Sequence, residues 1–227
     1  MNICLSDIIE WDVVNWSSAL QFWEKNSNCN LSHSLVLEIG AGNGGLSLWL
    51  ASKGCKVICS DLNDPIQKAY ELHKKYQVLN RIEYQVLDAT NIPYREKFDV
   101  IIFKSILGGI GRDGQYELQL KAIFEMYKAL KKDGELWFAE NLIGSPLHQY
   151  ARKMFVNWGK SWRYLNIEEF KIMLKRFSKL RYQSIGFCAV FGRTEPQRSF
   201  LATFDHHIFN RIIPENWRYI FVGLATK

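Results

Sequence analysis

A glycine-rich turn near residue 40 constrains the fold of this chain more than any other feature. Residues 35–45 read Leu-Val-Leu-Glu-Ile-Gly-Ala-Gly-Asn-Gly-Gly, so a short apolar strand runs directly into four closely spaced glycines. A helical pattern follows and stops at Gly54. Glycines permit positive φ angles and close approach of a ligand, and a helix N-terminus offers free N–H groups. The pattern predicts a strand–turn–helix unit that holds a ligand, although a tight turn without a ligand would have the same sequence.

Strands and helices alternate through the first two thirds of the chain. Further apolar strands are predicted at 56–60, 82–87, 98–103 and 135–140, and helices at 46–53, from Pro65, and at 116–130. This alternation is typical of a doubly wound parallel α/β sheet. Outside this core we expect a helix over 7–25, a capped helix over 166–177, a helical segment at 199–210, and strands at 181–191 and 218–225.

Composition excludes several classes of protein. The 227 residues are 48% hydrophobic and 23% charged, which rules out a disordered or fibrous chain and fits a single globular domain. No run of eighteen apolar residues occurs, and the first residues lack the pattern of a signal peptide. The five cysteines form no C-x-x-C pair, so we expect reduced thiols, no metal site and a cytoplasmic location.

The charge is distributed unevenly along the chain. Residues 147–227 contain fourteen Lys/Arg and five Asp/Glu, a net charge of +9, while residues 1–146 have a net charge of −3. This favours an anionic partner on the C-terminal side, although a solvated basic face would have the same composition. Four bases lie close together in sequence and could converge on one phosphate: Arg152, Lys153, Lys160 and Arg163. The alternative is an amphipathic helix that packs its aromatic residues inward.

Acidic residues follow or precede the ends of the first three strands. Glu38 lies two residues before the first glycine, where it would repel a pyrophosphate and hold an ammonium group. Asp61 follows the second strand and suits a ribose diol. Asp88 follows the third strand and could accept a hydrogen bond from an adenine amine. The alternative roles are a helix N-cap for Asp61 and a turn former for Asp88.

With these residues the sequence resembles the class I S-adenosylmethionine-dependent methyltransferases. The resemblance covers residues 30–141 and rests on five blocks in the family's order: Leu37-Glu-Ile-Gly-Ala-Gly-Asn-Gly44, Asp61-Leu62, Asp88-Ala89, Phe98-Asp-Val-Ile-Ile-Phe-Lys104 and Leu130-Lys-Lys-Asp-Gly-Glu-Leu136. It implies a Rossmann-like α/β fold with a seven-stranded sheet of order 3-2-1-4-5-7-6, its last strand antiparallel. It also implies S-adenosyl-L-methionine as the cofactor. The implied contacts are Glu38, Gly40, Gly42, Gly44, Asp61, Leu62, Asp88, Ala89, Lys104 and Ser105.

The resemblance also divides the chain into three parts. Residues 1–30 would form an N-terminal helical cap, 31–141 the cofactor-binding core, and 142–227 an acceptor-side insertion with the closing strands. The segment 10–17 is similar to a cap found in some sugar- and polysaccharide-modifying members, which would bring Trp16 to the cofactor. Aromatic residues on a helix also pack into cores, and that alternative stays open for Trp16.

The acceptor is less well determined than the cofactor. Lys104 stands where amino-methylating members have Asp/Asn-Pro-Pro-aromatic and catechol-type members have a metal ligand, so neither chemistry is expected. A base would come from elsewhere, with His148 as the candidate and with Glu140, His206 and His207 as further possibilities. We expect O-methylation of a small or saccharide-linked, anionic acceptor. The alternatives are an RNA methyltransferase and a non-catalytic S-adenosylmethionine-binding protein, and the oligomeric state is left open.

Overall fold

The centre of the molecule is a seven-stranded sheet. The computed structural model describes residues 3–156 and 161–227. The strands are β1 (Leu35–Ile39), β2 (Lys56–Asp61), β3 (Ile82–Val86), β4 (Phe98–Lys104), β5 (Leu130–Asn141), β6 (Lys179–Ile185) and β7 (Ile220–Thr226). Their order is β3-β2-β1-β4-β5-β7-β6; the first five are parallel, and β7 is antiparallel to both of its neighbours. The predicted fold class, strand order and antiparallel last strand are confirmed.

Helices cover both faces of the sheet. They are α1 (Leu5–Ile8), α2 (Val13–Asn26), α3 (Gly45–Ser52), α4 (Ile66–Lys75), α5 (Leu107–Ile110), α6 (Tyr116–Ala129), α7 (Pro146–Phe155), α8 (Ile167–Met173), α9 (Glu195–Phe204) and α10 (Asn210–Ile212). Helices α2, α3 and α4 pack into the core on one face, and α5, α6 and α8 pack on the other. A π-helical stretch, Asp205–Phe209, joins α9 to α10.

Two adjacent residues of β5 define the two cores. Because side chains alternate along a strand, Trp137 and Phe138 point to opposite faces. Trp137 contacts Trp23 of α2 and Trp49 of α3, with ring centroids 5.9 and 6.2 Å away. On the other face, Phe138 packs against aromatic rings of α8 and β7. Both faces are buried, as expected for a mainly parallel sheet with helices on each side.

The single helix predicted over 7–25 is interrupted, and this prediction was wrong in its boundaries. Asp12 has a left-handed backbone with φ 47°, and it separates α1 from α2. The backbone N–H groups of Asp12 and Val13 donate to the carboxylate of Glu195, over 3.1 and 2.6 Å. The break therefore depends on a residue more than 180 positions away, which no local pattern could indicate.

The C-terminal boundaries also differ from the prediction. Strand β6 ends at Ile185 because Gly186 turns with φ 80°, and a Cβ there would lie 2.6 Å from the ring of Tyr219. Helix α8 ends at Met173, four residues before the predicted end. Residues 199–210 lie within the longer helical run from α9 to α10. None of the described helices is long and apolar enough to cross a membrane.

Candidate functional site

The glycine turn lies at the edge where the parallel strands end. Gly40, Gly42 and Gly44 have φ angles of 70°, 56° and 79°, which favour glycine. A Cβ on Gly40 would lie 2.4 Å from Ile106, and one on Gly44 would lie 2.6 Å from His73. A Cβ on Gly42 would meet no atom within 4 Å. The turn therefore packs on both flanks and leaves open space at Gly42.

Contacts from β2 hold the turn in place. Ala41 N–H donates to the carbonyl of Ser60 over 2.9 Å, and Gly42 N–H donates to Oδ2 of Asp61 over 3.0 Å. These bonds bring the carboxylate predicted for a ribose diol directly beside the open position of the turn.

A buried histidine, which the sequence analysis missed, supports the turn from behind. His73 is fully buried, and burial lowers its pKa, so the ring is neutral at pH 7. Its Nε2–H donates to the carbonyl of Gly44 over 2.8 Å, and its Nδ1 accepts from the hydroxyl of Tyr84 over 2.7 Å. His73 follows Ala69 by four residues on α4, and both are buried. This spacing indicates that His73 lies on the inward face of the helix, but it does not predict the contact with the glycine turn.

Glu38 faces the start of α3. It is 3% exposed, and its carboxylate accepts from the backbone N–H of Ser47 over 2.8 Å and from the Ser47 hydroxyl. Burial raises the pKa of this carboxyl to about 7, and the two bonds from Ser47 oppose the shift. Since negative charge is stabilised at a helix N-terminus, Glu38 fixes the strand–turn–helix unit.

The ends of β2 and β3 place Asp61 and Asp88 on neighbouring strands. Leu87 N–H donates to the carbonyl of Asp61 over 2.8 Å, so the two strand ends are tied together. Leu62 is 67% exposed beside Asp61, which is unusual for a leucine and leaves an apolar surface at the edge. Asp88 is exposed and accepts from N–H and hydroxyl of Thr90, as a turn-forming aspartate does, and Ala89 is buried.

Lys104, at the end of β4, lies beneath the N-terminal helical segment. Its Nζ is 5.2 Å from the ring centroid of Trp16, whose own Nε1 is buried and has no hydrogen-bond partner within the described residues. Burial lowers the pKa of the Lys104 ammonium, and the carboxylates of Glu10, Glu38 and Glu140 oppose that shift. In residues 3–156 and 161–227, no acceptor hydrogen-bonds to Nζ of Lys104. A largely buried ammonium without such a partner is a candidate ligand-binding group.

The segment after Lys104 is held by β5. Ser105 has a left-handed backbone, φ 56°, and its hydroxyl accepts from Asn141. The N–H groups of Ile106 and Leu107 both donate to Oε2 of Glu140, over 2.9 and 2.8 Å. Burial raises the pKa of Glu140 to about 7 while these N–H groups oppose the shift. Glu140 is therefore occupied at the start of α5, which weakens it as a candidate base.

Comparison with known proteins identifies the core. Residues 37–138 match a family model described as a methyltransferase domain. These residues form an S-adenosylmethionine-dependent methyltransferase domain. The predicted family and cofactor are confirmed.

Individual relatives are distant. Squalestatin hexaketide synthase of a Phoma species is 23% identical over 177 residues, which is 70% of this chain and only 6% of that protein. Phosphoethanolamine N-methyltransferase 2 of Haemonchus contortus, solved with S-adenosyl-L-methionine, has a TM-score of 0.65 at 17% identity, covering 93% of this chain and 52% of that one. The YcgJ protein of Bacillus subtilis has a TM-score of 0.64 at 17% identity, covering 92% and 98%. The likenesses to the solved structures concern the fold.

The edge of the methyltransferase domain has the chemistry that this cofactor requires. Carboxylates at Asp61 and Asp88 can accept from hydroxyl and amine groups, and the exposed side chain of Leu62 next to Asp61 offers apolar surface. The open side of Gly42 leaves room for a ligand against the backbone. These features fit a nucleoside with an amino acid tail.

His148, predicted as a base, lies in a structural position in α7. It is 1% exposed, and burial lowers its pKa. Its Nδ1 accepts from Ser145 N–H over 3.0 Å, and its Nε2–H donates to the carbonyl of Phe187 over 2.7 Å. Both ring nitrogens are therefore occupied, and we do not carry His148 forward as a base. Of the other candidates, His207 is exposed and His206 is partly buried, both within the π-helical stretch.

The predicted basic cluster does not converge on one anion. Arg152 donates to the carbonyls of Leu142 and Ile143 over 2.8 and 2.9 Å and lies over the ring of Tyr164. Arg163 pairs with Glu169 over 2.6 Å. Lys153 is exposed, and Lys160 lies outside the described residues. The two arginines therefore stabilise the fold, because their donors are used internally.

Proposed function

We propose that the protein transfers the methyl group of S-adenosylmethionine to an oxygen atom of a small or saccharide-linked, anionic acceptor. The supporting observation is the Lys104 ammonium at the end of β4, largely buried and without a hydrogen-bonding acceptor in the described residues. Ligands of open α/β sheets bind outside the carboxyl ends of the strands, which is where Lys104 lies.

In this proposal the cofactor lies across the carboxyl ends of four strands, and each strand end contacts a different part of it. Asp61 accepts from the ribose hydroxyls, and Asp88 with Ala89 reads the adenine edge, with Leu62 against the ring. The turn at Gly40, Gly42 and Gly44 and the carboxylate of Glu38 line the methionine end. Lys104, Ser105 and Trp16 close the site on the acceptor side. When bound, the cofactor supplies a methyl group activated on a sulfonium.

Lys104 orients the acceptor. Its ammonium attracts an anionic group and holds the acceptor oxygen in line with the methyl group, since methyl transfer depends mainly on alignment. An acceptor oxygen that is already ionised beside Lys104 needs no separate base, which agrees with the internal bonding of His148 and Glu140. A long RNA is disfavoured as the acceptor because the guanidinium groups of Arg152 and Arg163 are hydrogen-bonded within the fold.

The test is methyl transfer from radiolabelled S-adenosylmethionine to three separate pools. These are sugar phosphates with nucleotide-linked sugars, total RNA, and neutral small molecules. We expect label in the first pool, in a form that hydriodic acid releases under conditions that cleave methyl ethers and leave N-methyl amines intact. Label only in RNA would contradict the acceptor, and cofactor binding without transfer to any pool would favour a non-catalytic protein.

A further inference from the structure

Helix α7 has two polar side chains on its inner face and a row of apolar side chains on its outer face. His148 and Arg152 lie on its inner face, where they bond to Phe187 and to the two residues that follow β5. Three apolar residues at helical spacing on the outer face are between 53% and 62% exposed: Leu147, Tyr150 and Met154. The next residue, Phe155, is 77% exposed. A surface helix normally has the opposite arrangement, so this outer stripe calls for a partner.

The helical run from α9 to α10 has a second outward stripe. Four apolar residues spaced by four positions are between 39% and 66% exposed: Phe200, Phe204, Ile208 and Ile212. His207 and Arg211 are also exposed and lie next to this stripe on the helix surface. The combination of apolar residues with flanking bases is typical of helices that lie in the plane of a membrane surface.

The helices that carry the two stripes pack on the same group of aromatic rings. The ring of His148 on α7 stacks on Phe191 at 5.1 Å, and Phe187 contacts Phe209 of the π-helical stretch at 5.6 Å. Phe191 is itself 38% exposed. We call the outer stripes of α7 and of α9–α10 together the two-helix face. It lies beside the edge that carries the candidate site, because α7 begins five residues after the end of β5.

The charged residues of the two-helix face indicate the chemistry of its partner. Helix α7 contains no acidic residue. In the run from α9 to α10, Asp205 is fully buried, and Glu195 accepts from the backbone N–H groups of Asp12 and Val13 and pairs with Arg198. Lys153 and Arg211 are exposed on the same helices. An exposed apolar surface with bases and without exposed carboxylates is complementary to anionic headgroups above an acyl layer.

We propose that the two-helix face docks on the surface of an anionic lipid bilayer. Phe200, Ile212 and Tyr150 enter the boundary between headgroups and acyl chains, and Lys153 and Arg211 contact the headgroups. This docking does not depend on which acceptor the methyltransferase domain uses.

Vesicle flotation tests this docking. The purified full-length chain is mixed with vesicles of phosphatidylcholine alone or of phosphatidylcholine with phosphatidylglycerol. We expect flotation with the anionic vesicles, decreasing with added salt because the headgroup contacts are screened. The double variant F200S/I212S should lose about tenfold or more in vesicle affinity. The variant K153E/R211E should lose binding to anionic vesicles selectively.

A matched control exists on the opposite side of the molecule. Phe124 of α6 and Ile172 of α8 are 39% and 49% exposed and do not belong to the two-helix face. The variant F124S/I172S should therefore bind vesicles as the parent chain does. Binding of S-adenosylhomocysteine, measured by calorimetry, shows that each variant is folded. Loss of vesicle binding can therefore be distinguished from loss of methyl transfer.

Three outcomes would overturn the proposal. They are absence of flotation of the parent chain with anionic vesicles, undiminished flotation of F200S/I212S, and equal loss in F124S/I172S. A parent dimer in sedimentation velocity that F200S/I212S dissociates, with no vesicle binding, would assign the face to a second copy of this chain. Capture of an acidic protein with no vesicle binding would likewise reject the lipid surface.

Discussion

Asp61 connects the geometry of the glycine turn with the chemistry of a ligand. Its Oδ2 accepts from Gly42 N–H over 3.0 Å, which sets the position of the turn, and its Oδ1 accepts from Asn63 N–H over 3.4 Å. His73 holds the opposite end of the same turn through Gly44. A single carboxylate thus both shapes the turn and is proposed to bind the ribose.

Replacing Asp61 should weaken cofactor binding. We expect Asp61→Ala to raise the Kd for S-adenosylhomocysteine by about 10- to 100-fold, because a hydrogen bond to a charged group contributes roughly 1.5–3 kcal/mol. Asp64→Ala is the matched control, since within the described residues Asp64 accepts a hydrogen bond from the nearby Ile66 N–H and has no contact with the glycine turn. Titration calorimetry measures both. Equal affinities of the Asp61 variant and the parent chain would reject the assignment.

Replacing Lys104 should separate the acceptor from the cofactor. Lys104→Met should lower kcat/KM for the acceptor by about 100-fold, the size of effect seen when one stabilising group is removed from an active site. Lys104→Arg should restore part of the loss because it keeps the charge. Affinity for S-adenosylhomocysteine should change by less than about threefold in both variants, which corresponds to well under 1 kcal/mol. A parallel loss of cofactor affinity in Lys104→Met would instead assign the ammonium to the cofactor's carboxylate.

The start of α2 is joined to the C-terminal elements by a buried polar network. The hydroxyl of Tyr219 donates to Asp12, and Nδ2 of Asn15 donates to Asp205 over 3.0 Å and to Tyr219 over 2.8 Å. All four side chains are fully buried. Because Trp16 follows Asn15 directly, this network also sets the position of the wall above Lys104.

The network should make stability depend on pH. Burial raises the pKa of Asp12 to about 7, from 3.8 for an unperturbed carboxyl, so the folded state holds a proton that the unfolded chain has lost. The resulting stability is present at low pH and is lost as the pH rises through 7. The amide side chain of the variant Asp12→Asn does not titrate. Between pH 5.5 and 8 the unfolding free energy of this variant should therefore fall by about 2 kcal/mol less than that of the parent chain, because each pH unit between 5.5 and the raised pKa contributes about 1.4 kcal/mol.

Asp7 provides a control of opposite sign. Its contacts with Lys75 and Tyr76 lower the pKa of its carboxyl, so it is ionised in both states above pH 5. Urea unfolding at the two pH values should give Asp7→Asn the same pH dependence as the parent chain. If Asp12→Asn also parallels the parent, Asp12 does not carry the proton.

At the scale of the whole molecule, β5 connects the two cores into one folding unit. Trp137 is fully buried and donates to Glu135 over 2.8 Å, while the next side chain fills the opposite core. We therefore expect one unfolding transition in which near-UV and far-UV circular dichroism coincide.

Truncation of Trp137 should test this connection. Trp137→Ala should lower the unfolding free energy by about 3–5 kcal/mol, as is usual for a buried tryptophan, and keep a single transition. Trp217→Ala, at a tryptophan that is 43% exposed, should cost less than about 1 kcal/mol. Two separate transitions in urea would show that the cores unfold independently.

Local patterns predicted the sheet but not the contacts that complete the site. Strand β1 and the glycine turn could be predicted because the pattern that identifies them lies within ten consecutive residues. The order of the strands in the sheet was predicted from the family resemblance. The left-handed break at Asp12 depends on Glu195, and the support of Gly44 depends on His73, both of which are long-range contacts. The convergence of Arg152 and Arg163 was wrong because sequence spacing does not tell which donors are satisfied inside the fold.

The three tryptophans packed together on the sheet face that α2 and α3 cover also give the protein an intrinsic optical reporter. The rings of Trp23, Trp49 and Trp137 have centroid separations between 5.9 and 6.2 Å, and they come from α2, α3 and β5. Indole rings at such separations couple electronically, so their near-ultraviolet dichroism and their fluorescence depend on all three being in place. Release of α2 from the sheet would therefore change the emission, and the seating of this helix can be followed in real time without a label.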